Sequence, residues 1–435
     1  MERRDFLWFT GLAAGAVVVP PALSGCAYDP VTGESVFSLV SEEQEIEIDR
    51  QQSPHQFSAD YGANDDTRLN RYVSQVGAAI TRTSHRPQMP YSFRVLDANH
   101  VNAYTFPGGS MAVTRGILVE LDSEAELAAL LGHEIGHVNA RHSAERATKG
   151  LLAQAAVGLA AGAVSNENAQ SLVAGVGAIS ATALLAKYSR NNEREADRLG
   201  LDYAVAAGAN PKGMIELMAM LNTLHDAQPG ALQIMFSSHP MSAERVANAR
   251  EQVQTVYQNQ QGRDLGRERY MDYTAALRKE RTLIKTLANA DLAVSAGEFQ
   301  QADQALDQAR RIRDDDYALW IISAKSNMGQ GRSRSAVADL QKAQTLKPTE
   351  ALPLYMLGAN YLDVGEPDAA LSAYRQYQLK LPGNPMVDFF IGYSYEQMGQ
   401  QPPAAEAYRT FLQQVQQGEQ AEHAYRQLLA WGYLS

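Results

Sequence analysis

The chain of 435 residues contains a single cysteine, which excludes an intrachain disulfide framework and any zinc site built from cysteine. Basic side chains are also scarce: 38 lysines and arginines against 49 acids give a net charge of −11. Nucleic acid is therefore excluded as the main partner, because binding phosphates requires a basic face. A mean hydropathy of −0.31 excludes a polytopic membrane protein. The length predicts two to three domains with substantial cores.

Residues 1–25 are predicted to be a signal peptide that is removed on export. Two arginines, Arg3 and Arg4, precede an apolar run at 12–19 that is too short to span a membrane. The string from Arg3 to Leu7 is similar to the twin-arginine export motif, but the same features suit the general export route. The export route therefore stays open.

The cysteine, Cys26, directly follows this segment. Residues 23–26 read Leu-Ser-Gly-Cys, which is similar to the cleavage box of bacterial lipoproteins and predicts lipidation of Cys26. Several acyl chains would anchor the protein stably to a membrane. Ala27 in place of an aspartate favours the inner leaflet of the outer membrane, on the periplasmic side. A free or buried thiol is the alternative.

Residues 123–148 are predicted to form one helix that carries a metal-binding motif. Ser123 and Glu126 can form a capping box, and apolar residues follow at helical spacing. Residues 133–137 read H-E-x-x-H, the zincin motif. Two histidines four residues apart share a helical face, so both imidazoles can reach one ion, while the glutamate can serve as general base. A chance match on a solvated helix is the alternative.

A catalytic zinc ion needs a third protein ligand, and a charged helix that begins near Ser189 offers one. Glu193 and Asp197 are four residues apart and share a face of this helix. Glu193 is the candidate ligand, and Asp197 can accept the second N–H of a ligand histidine. An exposed helix with ion pairs is the alternative, and it is our interpretation of Glu195.

Segment 99–250 resembles the zinc metallopeptidase family that includes the CAAX prenyl protease, the membrane protease HtpX and the periplasmic β-barrel assembly-enhancing protease. Several motifs in the same order carry this resemblance. They are Asn102-Ala103-Tyr104 with Pro107-Gly108-Gly109, His133-Glu134-x-x-His137, Arg141-His142, Glu193-x-x-Ala196-Asp197, and His239-Pro240 with Arg245.

The resemblance implies one zinc ion bound by His133, His137 and Glu193. It implies that Glu134 activates water and protonates the leaving amine, while Asp197 supports a ligand histidine. These five residues would form the centre of a peptide-bond hydrolase.

The resemblance also implies roles around this centre. His239 would either occupy the fourth zinc position and hold the enzyme inactive, or stabilise the oxyanion; a plain loop or helix-capping role is the alternative. Arg245 is a candidate for stabilising charge in the transition state. The strand around Gly109–Val113 would be an edge strand that binds extended substrates by β-addition. His142 is expected to be structural.

Residues 150–186 are rich in alanine and glycine and contain two apolar runs, each too short for a confident membrane span. They predict a pair of core helices. A lid that gates the cleft or touches the membrane is the alternative, because polytopic members of the family have transmembrane helices nearby.

The C-terminal third repeats with a period of 34 residues. Two sets of residues carry the period: Gly297, Gly331, Gly365 and Gly399, and Ala302, Ala336, Ala370 and Ala404. This period is typical of tetratricopeptide helix–turn–helix repeats, in which glycine ends the first helix and alanine lets the helices approach. Four repeats are predicted at about 283–316, 317–350, 351–384 and 385–418, and a closing helix follows.

The sequence therefore predicts a mainly α (α+β) protein: a zincin-type metallopeptidase domain with a small β-sheet, followed by an α-solenoid. The expected domains are a signal peptide at 1–25, a metallopeptidase domain at 26–250, a helical connector at 251–282 and a repeat domain at 283–435.

The expected function is that of a lipid-anchored periplasmic zinc endopeptidase that degrades misfolded or misassembled envelope proteins. Its repeats would recruit these substrates or the outer-membrane assembly machinery. The alternative is a chaperone or assembly adaptor with latent proteolysis. The specific substrate, the cleavage site and the oligomeric state stay open.

Overall fold

The computed structural model describes residues 17–19, 27–150, 176–179, 187–227 and 229–434. Cys26, nearly all of the predicted signal peptide and most of the 150–186 segment lie outside the described residues, so the predictions made for them stay predictions. Within that segment, Val176–Ile179 is a strand where a core helix was expected. Within the part of the chain that is described, no helix is long and apolar enough to cross a membrane.

The chain forms two compact units. One contains Val19–Ser53 and Ala63–Ala288, and the other contains Pro54–Gly62 and Asn289–Ser435. Two of the boundaries fall inside helices, in Glu42–Ala59 and Arg281–Ala296, and another lies between Gly62 and Ala63. The unit that begins at Val19 carries the metal-binding motif and is called the motif unit; the other is called the repeat unit.

The motif unit is mostly helical. Its further helices are Thr67–Thr81, Arg115–Leu118, Glu124–Asn139, 142–150, Arg190–Ala206, Lys212–Ala227, Gln233–Ser238, Ala243–Thr255 and Arg267–Lys279, with short 3-10 helices at Pro229–Leu232 and Gln258–Gln260. Short strands lie at Ala27–Tyr28 and Ser35–Val36, which pair with each other, and at Val176–Ile179. A further strand, Val17–Val19, lies at the start of the chain.

A three-stranded sheet packs beside the motif helix. The strand Ser110–Thr114 lies in its centre, parallel to Ser92–Leu96 on one side and antiparallel to Ala103–Thr105 on the other. The prediction that the strand around Gly109–Val113 is an edge strand is therefore wrong, because both of its edges are paired. Within the described residues, the strand at this end of the sheet is Ala103–Thr105 instead.

The predicted helix 123–148 is two helices. The first ends at Asn139, and Arg141 adopts a left-handed backbone conformation with φ of 53° before a second helix starts at 142. The arginine is held there because its guanidinium donates to the carbonyl of Val40 and contacts the buried carboxylate of Glu45. The break changes the direction of the chain directly after the second motif histidine.

The repeat unit consists of antiparallel helix pairs. Its helices after Arg281–Ala296 are Phe299–Ile312, Tyr317–Gly329, Ser333–Leu346, Leu352–Asp363, Pro367–Lys380, Pro385–Gln397, Gln401–Gln414 and Glu419–Ala430. The four periodic glycines all have φ between 70° and 78°, a conformation that favours glycine, and each follows the first helix of a pair. The four periodic alanines are fully buried. The predicted repeat pattern is confirmed.

Candidate metal centre

The first ligand helix, Glu124–Asn139, holds both motif histidines. Its start is fixed by the predicted capping box between Ser123 and Glu126. The helix is buried on all sides, and the rings of His133 and His137 meet edge to face with their Nε2 atoms 3.1 Å apart. The two imidazoles therefore point at the same place, as the i, i+4 spacing predicts.

The second ligand helix, Arg190–Ala206, starts where the sequence predicts. Ser189 caps it in a reciprocal box with Asn192, so Glu193 lies in the first turn. The carboxylate of Glu193 is fully buried and lies 3.4 Å from Nε2 of His137 and 3.7 Å from Nε2 of His133. The structure brings these three predicted ligands together.

Small residues allow the two ligand helices to approach this closely. A Cβ atom added to Gly132 would lie 2.5 Å from the carbonyl oxygen of Gly200, and one on Gly136 would lie 2.8 Å from that of Ala196. Real Cβ atoms do not tolerate such distances without movement of the backbone. The glycines of the motif helix thus set the distance at which Glu193 faces the histidines.

His239 joins the cluster from a third direction. It follows the short helix Gln233–Ser238 as its C-cap, and its Nδ1 lies 3.1 Å from Glu193 and 3.3 Å from Nε2 of His133. One ligand atom from each of His133, His137, Glu193 and His239 lies within 4.8 Å of the others, and all four residues are buried. His239 caps a helix, as the alternative of a loop or capping role predicted, but it also lies inside the cluster of candidate ligands.

Asp197 and Arg245 lie behind the ligands. Asp197 lies 2.9 Å from Nδ1 of His133, on the ring atom that faces away from His137. The guanidinium of Arg245 binds Asp197 through Nε and Nη2 at 2.7 Å each, and its Nη1 lies 2.7 Å from Glu193. Nη1 also donates to the carbonyl of Pro240. Arg245 therefore holds two carboxylates and the backbone beside His239.

Glu134 is buried, and among the described residues neither of its carboxylate oxygens has a hydrogen-bond partner. Nε2 of His239 lies 3.8 Å from Oε1 of Glu134. Burial raises the pKa of Glu134 above the ordinary value. A carboxyl of this kind is suited to accept a proton and return it.

Burial and charge act differently on the other members of the cluster. Burial lowers the pKa of His137 well below its ordinary value, which leaves the ring neutral and able to donate a lone pair. Burial also opposes charge on His133, but Asp197 and Glu193 outweigh it and raise its pKa. For Glu193 burial opposes ionisation, yet the neighbouring His239 and His137 outweigh it and lower its pKa.

A second layer of contacts surrounds His137 and was not predicted from the sequence. Tyr188 stacks on its ring, with centroids 3.8 Å apart and planes at 22°, and the guanidinium of Arg146 covers the tyrosine. Nδ1 of His137 lies 2.8 Å from Nδ1 of His142, whose Nε2 lies 3.4 Å from Glu195. These contacts depend on the helix break at 141, which sequence periodicity did not predict.

The residues present fit a zinc ion. Imidazole nitrogens and a carboxylate are the ligands of catalytic zinc, and here they converge in a buried cluster. His133 carries an aspartate on its outer nitrogen, the arrangement that orients ligand histidines. The buried carboxylate of Glu134 beside the cluster adds the group that a metal-assisted hydrolysis requires.

Comparison with known proteins agrees with this geometry. The sequence profile of peptidase family M48 matches residues 67–253. The β-barrel assembly-enhancing protease of Yersinia pestis is 25% identical over 347 residues, which cover 74% of this chain and 71% of that protein. The metalloprotease YcaL of Escherichia coli (strain K12) is 32% identical over 186 residues, which cover 43% of this chain and 69% of that protein.

Among solved structures, the tetratricopeptide protein YrrB matches with a TM-score of 0.32 and 15% sequence identity. The match covers 47% of this chain and 97% of the YrrB chain.

Proposed function

The chain belongs to peptidase family M48, a family of metal-dependent peptidases, and on this premise we propose that it is a zinc endopeptidase of the bacterial periplasm. Its substrates would be misfolded or misassembled envelope proteins, including β-barrels of the outer membrane. The observation that carries the proposal is the buried convergence of His133, His137 and Glu193 beside the carboxylate of Glu134, which has no hydrogen-bond partner within the described part of the chain.

The chain's own residues supply the binding and the proton transfer. When bound, zinc would polarise the scissile carbonyl and favour ionisation of water. His133, His137 and Glu193 would hold it. Glu134 would take a proton from the attacking water and deliver it to the nitrogen of the leaving amine, which its raised pKa suits.

We propose that Arg245 acts mainly by position. Three of its donor groups are already directed at Asp197 and Glu193, and one of them also reaches the carbonyl of Pro240. The guanidinium would hold the ligand carboxylate and the aspartate that orients His133. The predicted role in stabilising transition-state charge stays open, because Arg245 adjoins the cluster.

An extended substrate would bind at the edge strand Ala103–Thr105. The opposite edge of the sheet is occupied, since Asn64 and Asn70 hydrogen-bond the backbone of Val95. Hydrogen bonds of Asn102 and Phe106 with the central strand turn the backbone groups of Ala103 and Thr105 away from it. Binding through backbone groups would tolerate many substrate sequences.

His239 would occupy the fourth ligand position in a resting state. Its distances of 3.1 Å to Glu193 and 3.3 Å to His133 support this role over a purely structural one. Departure of the His239 side chain would then open the position for substrate. Stabilisation of the oxyanion by the same ring is the competing proposal.

The repeat unit would recruit substrates or outer-membrane assembly machinery, and Cys26 would anchor the mature chain by lipid. The resemblance to a protease named for β-barrel assembly supports the first point. The lipoprotein box supports the second, together with an inner-leaflet location in the outer membrane.

Comparing envelope protein fragments in cells that carry the active chain or its Glu134→Gln variant tests the proposed function. Fragments of misassembled envelope proteins should appear only with the active chain. An adaptor with latent proteolysis is not favoured, because the catalytic residues converge. If the chain were such an adaptor, the Glu134→Gln variant would rescue envelope defects as well as the active chain does.

A further inference from the structure

The two motif histidines have different supports on their outer nitrogens. His133 meets a carboxylate directly, with Asp197 at 2.9 Å from Nδ1. His137 meets another histidine, with Nδ1 of His142 at 2.8 Å. His142 is 1% exposed, and its Nε2 lies 3.4 Å from a carboxylate oxygen of Glu195, whose side chain is 35% exposed.

We propose that His142 and Glu195 are positioning residues for His137, and that they connect this ligand to a carboxylate through an intervening imidazole. The proposal deepens the metal site and rests on the proposed function. It gives a role to Glu195, which the sequence marked only as a surface residue.

The directions of the hydrogen bonds follow from the ring atoms. Nε2 of His137 faces the ligand cluster, so when this nitrogen binds zinc the proton of the neutral ring is on Nδ1. That N–H must donate to Nδ1 of His142, because two ring nitrogens 2.8 Å apart need one donor and one acceptor. The proton of His142 is then on Nε2, where Glu195 accepts it.

His142 and Glu195 together support the ring of His137 as Asp197 supports the ring of His133. A carboxylate behind a ligand imidazole fixes its tautomer and strengthens its donation to the metal. The intervening ring and the partial exposure of Glu195 weaken the effect, whereas Asp197 is buried and held by Arg245. Loss of Asp197 should therefore weaken zinc binding more than loss of Glu195.

The geometry is held by the local fold. Arg141, two residues after the end of the first ligand helix, has a left-handed backbone conformation that turns the chain. The ring of His142 therefore lies beside that of His137, with 4.9 Å between the ring centroids. Glu195 lies two residues after Glu193 in the second ligand helix. The second ligand helix therefore supplies the proposed ligand Glu193 and also Glu195, the carboxylate that supports His137 through His142.

Zinc affinity of the full chain tests the proposal by competition with a chromogenic chelator. Glu195→Gln should bind zinc about tenfold more weakly than the unsubstituted chain. Glu251→Gln, which removes an exposed carboxylate from the helix Ala243–Thr255, should not change the affinity. Thermal unfolding of the zinc-free proteins should be unchanged in both, which separates metal binding from folding.

A second substitution distinguishes the hydrogen-bonded series from a general effect of charge. The amide oxygen of His142→Asn can still accept the N–H of His137, but the amide cannot reach Glu195 as the ring does. In this background Glu195→Gln should change zinc affinity by less than about twofold. The proposal is overturned if Glu195→Gln weakens zinc binding as much in the His142→Asn background as in the unsubstituted chain. It is also overturned if Glu195→Gln and Glu251→Gln bind zinc with equal affinity. Failure of the unsubstituted chain to bind zinc would instead contradict the proposed function.

Discussion

At the scale of single residues, the centre depends on a buried charge balance. Arg245 lies between Asp197 and Glu193, and all three side chains are buried. A buried ion pair contributes little relative to apolar side chains, but removing one partner leaves a charge without compensation. Loss of the arginine should therefore destabilise the folded chain.

Arg245→Ala should lower the free energy of unfolding of the zinc-free chain by about 3–5 kcal/mol. Two buried carboxylates would lose their cation at once. Denaturant titration measures the change. The matched control is Arg194→Ala in the exposed pair with Glu244, which should cost at most about 1 kcal/mol. Similar losses in the two variants would contradict the role assigned to Arg245.

His239→Ala should cleave an unfolded test protein faster than the unsubstituted chain at equal zinc content. The reason is that the substitution removes the side chain proposed to fill the fourth ligand position. His100→Ala, a half-buried histidine outside the cluster, serves as the control. Slower cleavage by His239→Ala would favour the oxyanion role instead.

The residues of the centre differ in how far sequence could predict them. Spacing alone put His133 and His137 on one face, and the charged helix offered Glu193. His142 and Glu195 could not be connected in the same way, because their contact requires the backbone turn at Arg141. Periodicity continues through that position, and no property of the sequence marks the left-handed conformation.

At the scale of helices and strands, close packing between the ligand helices sets the site. Their contact at Gly132 and Gly200 brings backbone against backbone. The sheet gives the contrasting case: the resemblance predicted strands near Ala103 and around Gly109–Val113, but neither the strand Ser92–Leu96 nor the order of the strands was predicted. The central place of Ser110–Thr114 depends on its parallel pairing with Ser92–Leu96, which lies earlier in the chain and shares no local signal with it.

Gly132→Ala should lower the free energy of unfolding by about 1–3 kcal/mol and weaken zinc retention. The added methyl would meet the carbonyl of Gly200 at 2.5 Å and force the ligand helices apart, which outweighs the gain in helix propensity. Gly262→Ala, where a Cβ would contact nothing within 4 Å, should be neutral in both measurements. Unchanged zinc retention in Gly132→Ala would contradict this explanation of the site geometry.

At the scale of the whole molecule, the two units do not follow the sequence in two blocks. Pro54–Gly62 belongs with the repeats, where His55 lies 3.3 Å from the hydroxyl of Tyr377 and Tyr61 contacts Asp291. The 34-residue period predicted the repeats but could not reveal this early segment, which carries no repeat pattern. Its place depends on contacts between residues hundreds of positions apart.

Zinc removal should act within the motif unit. Chelation should increase amide hydrogen exchange in Glu124–Asn139 and Arg190–Ala206, because bound metal stabilises the state that holds its ligands. Exchange in Leu352–Asp363, a helix of the repeat unit, should stay the same. Equal increases in all three helices would contradict a metal site confined to the motif unit.

We propose that this chain hydrolyses peptide bonds with Glu134 as the proton carrier of a zinc site. The most direct measurement compares Glu134→Gln with the unsubstituted chain for zinc content and for cleavage of an unfolded protein. The variant should retain zinc, because the ligands His133, His137 and Glu193 remain, and should lose cleavage. Full cleavage by a zinc-loaded Glu134→Gln chain would contradict the mechanism.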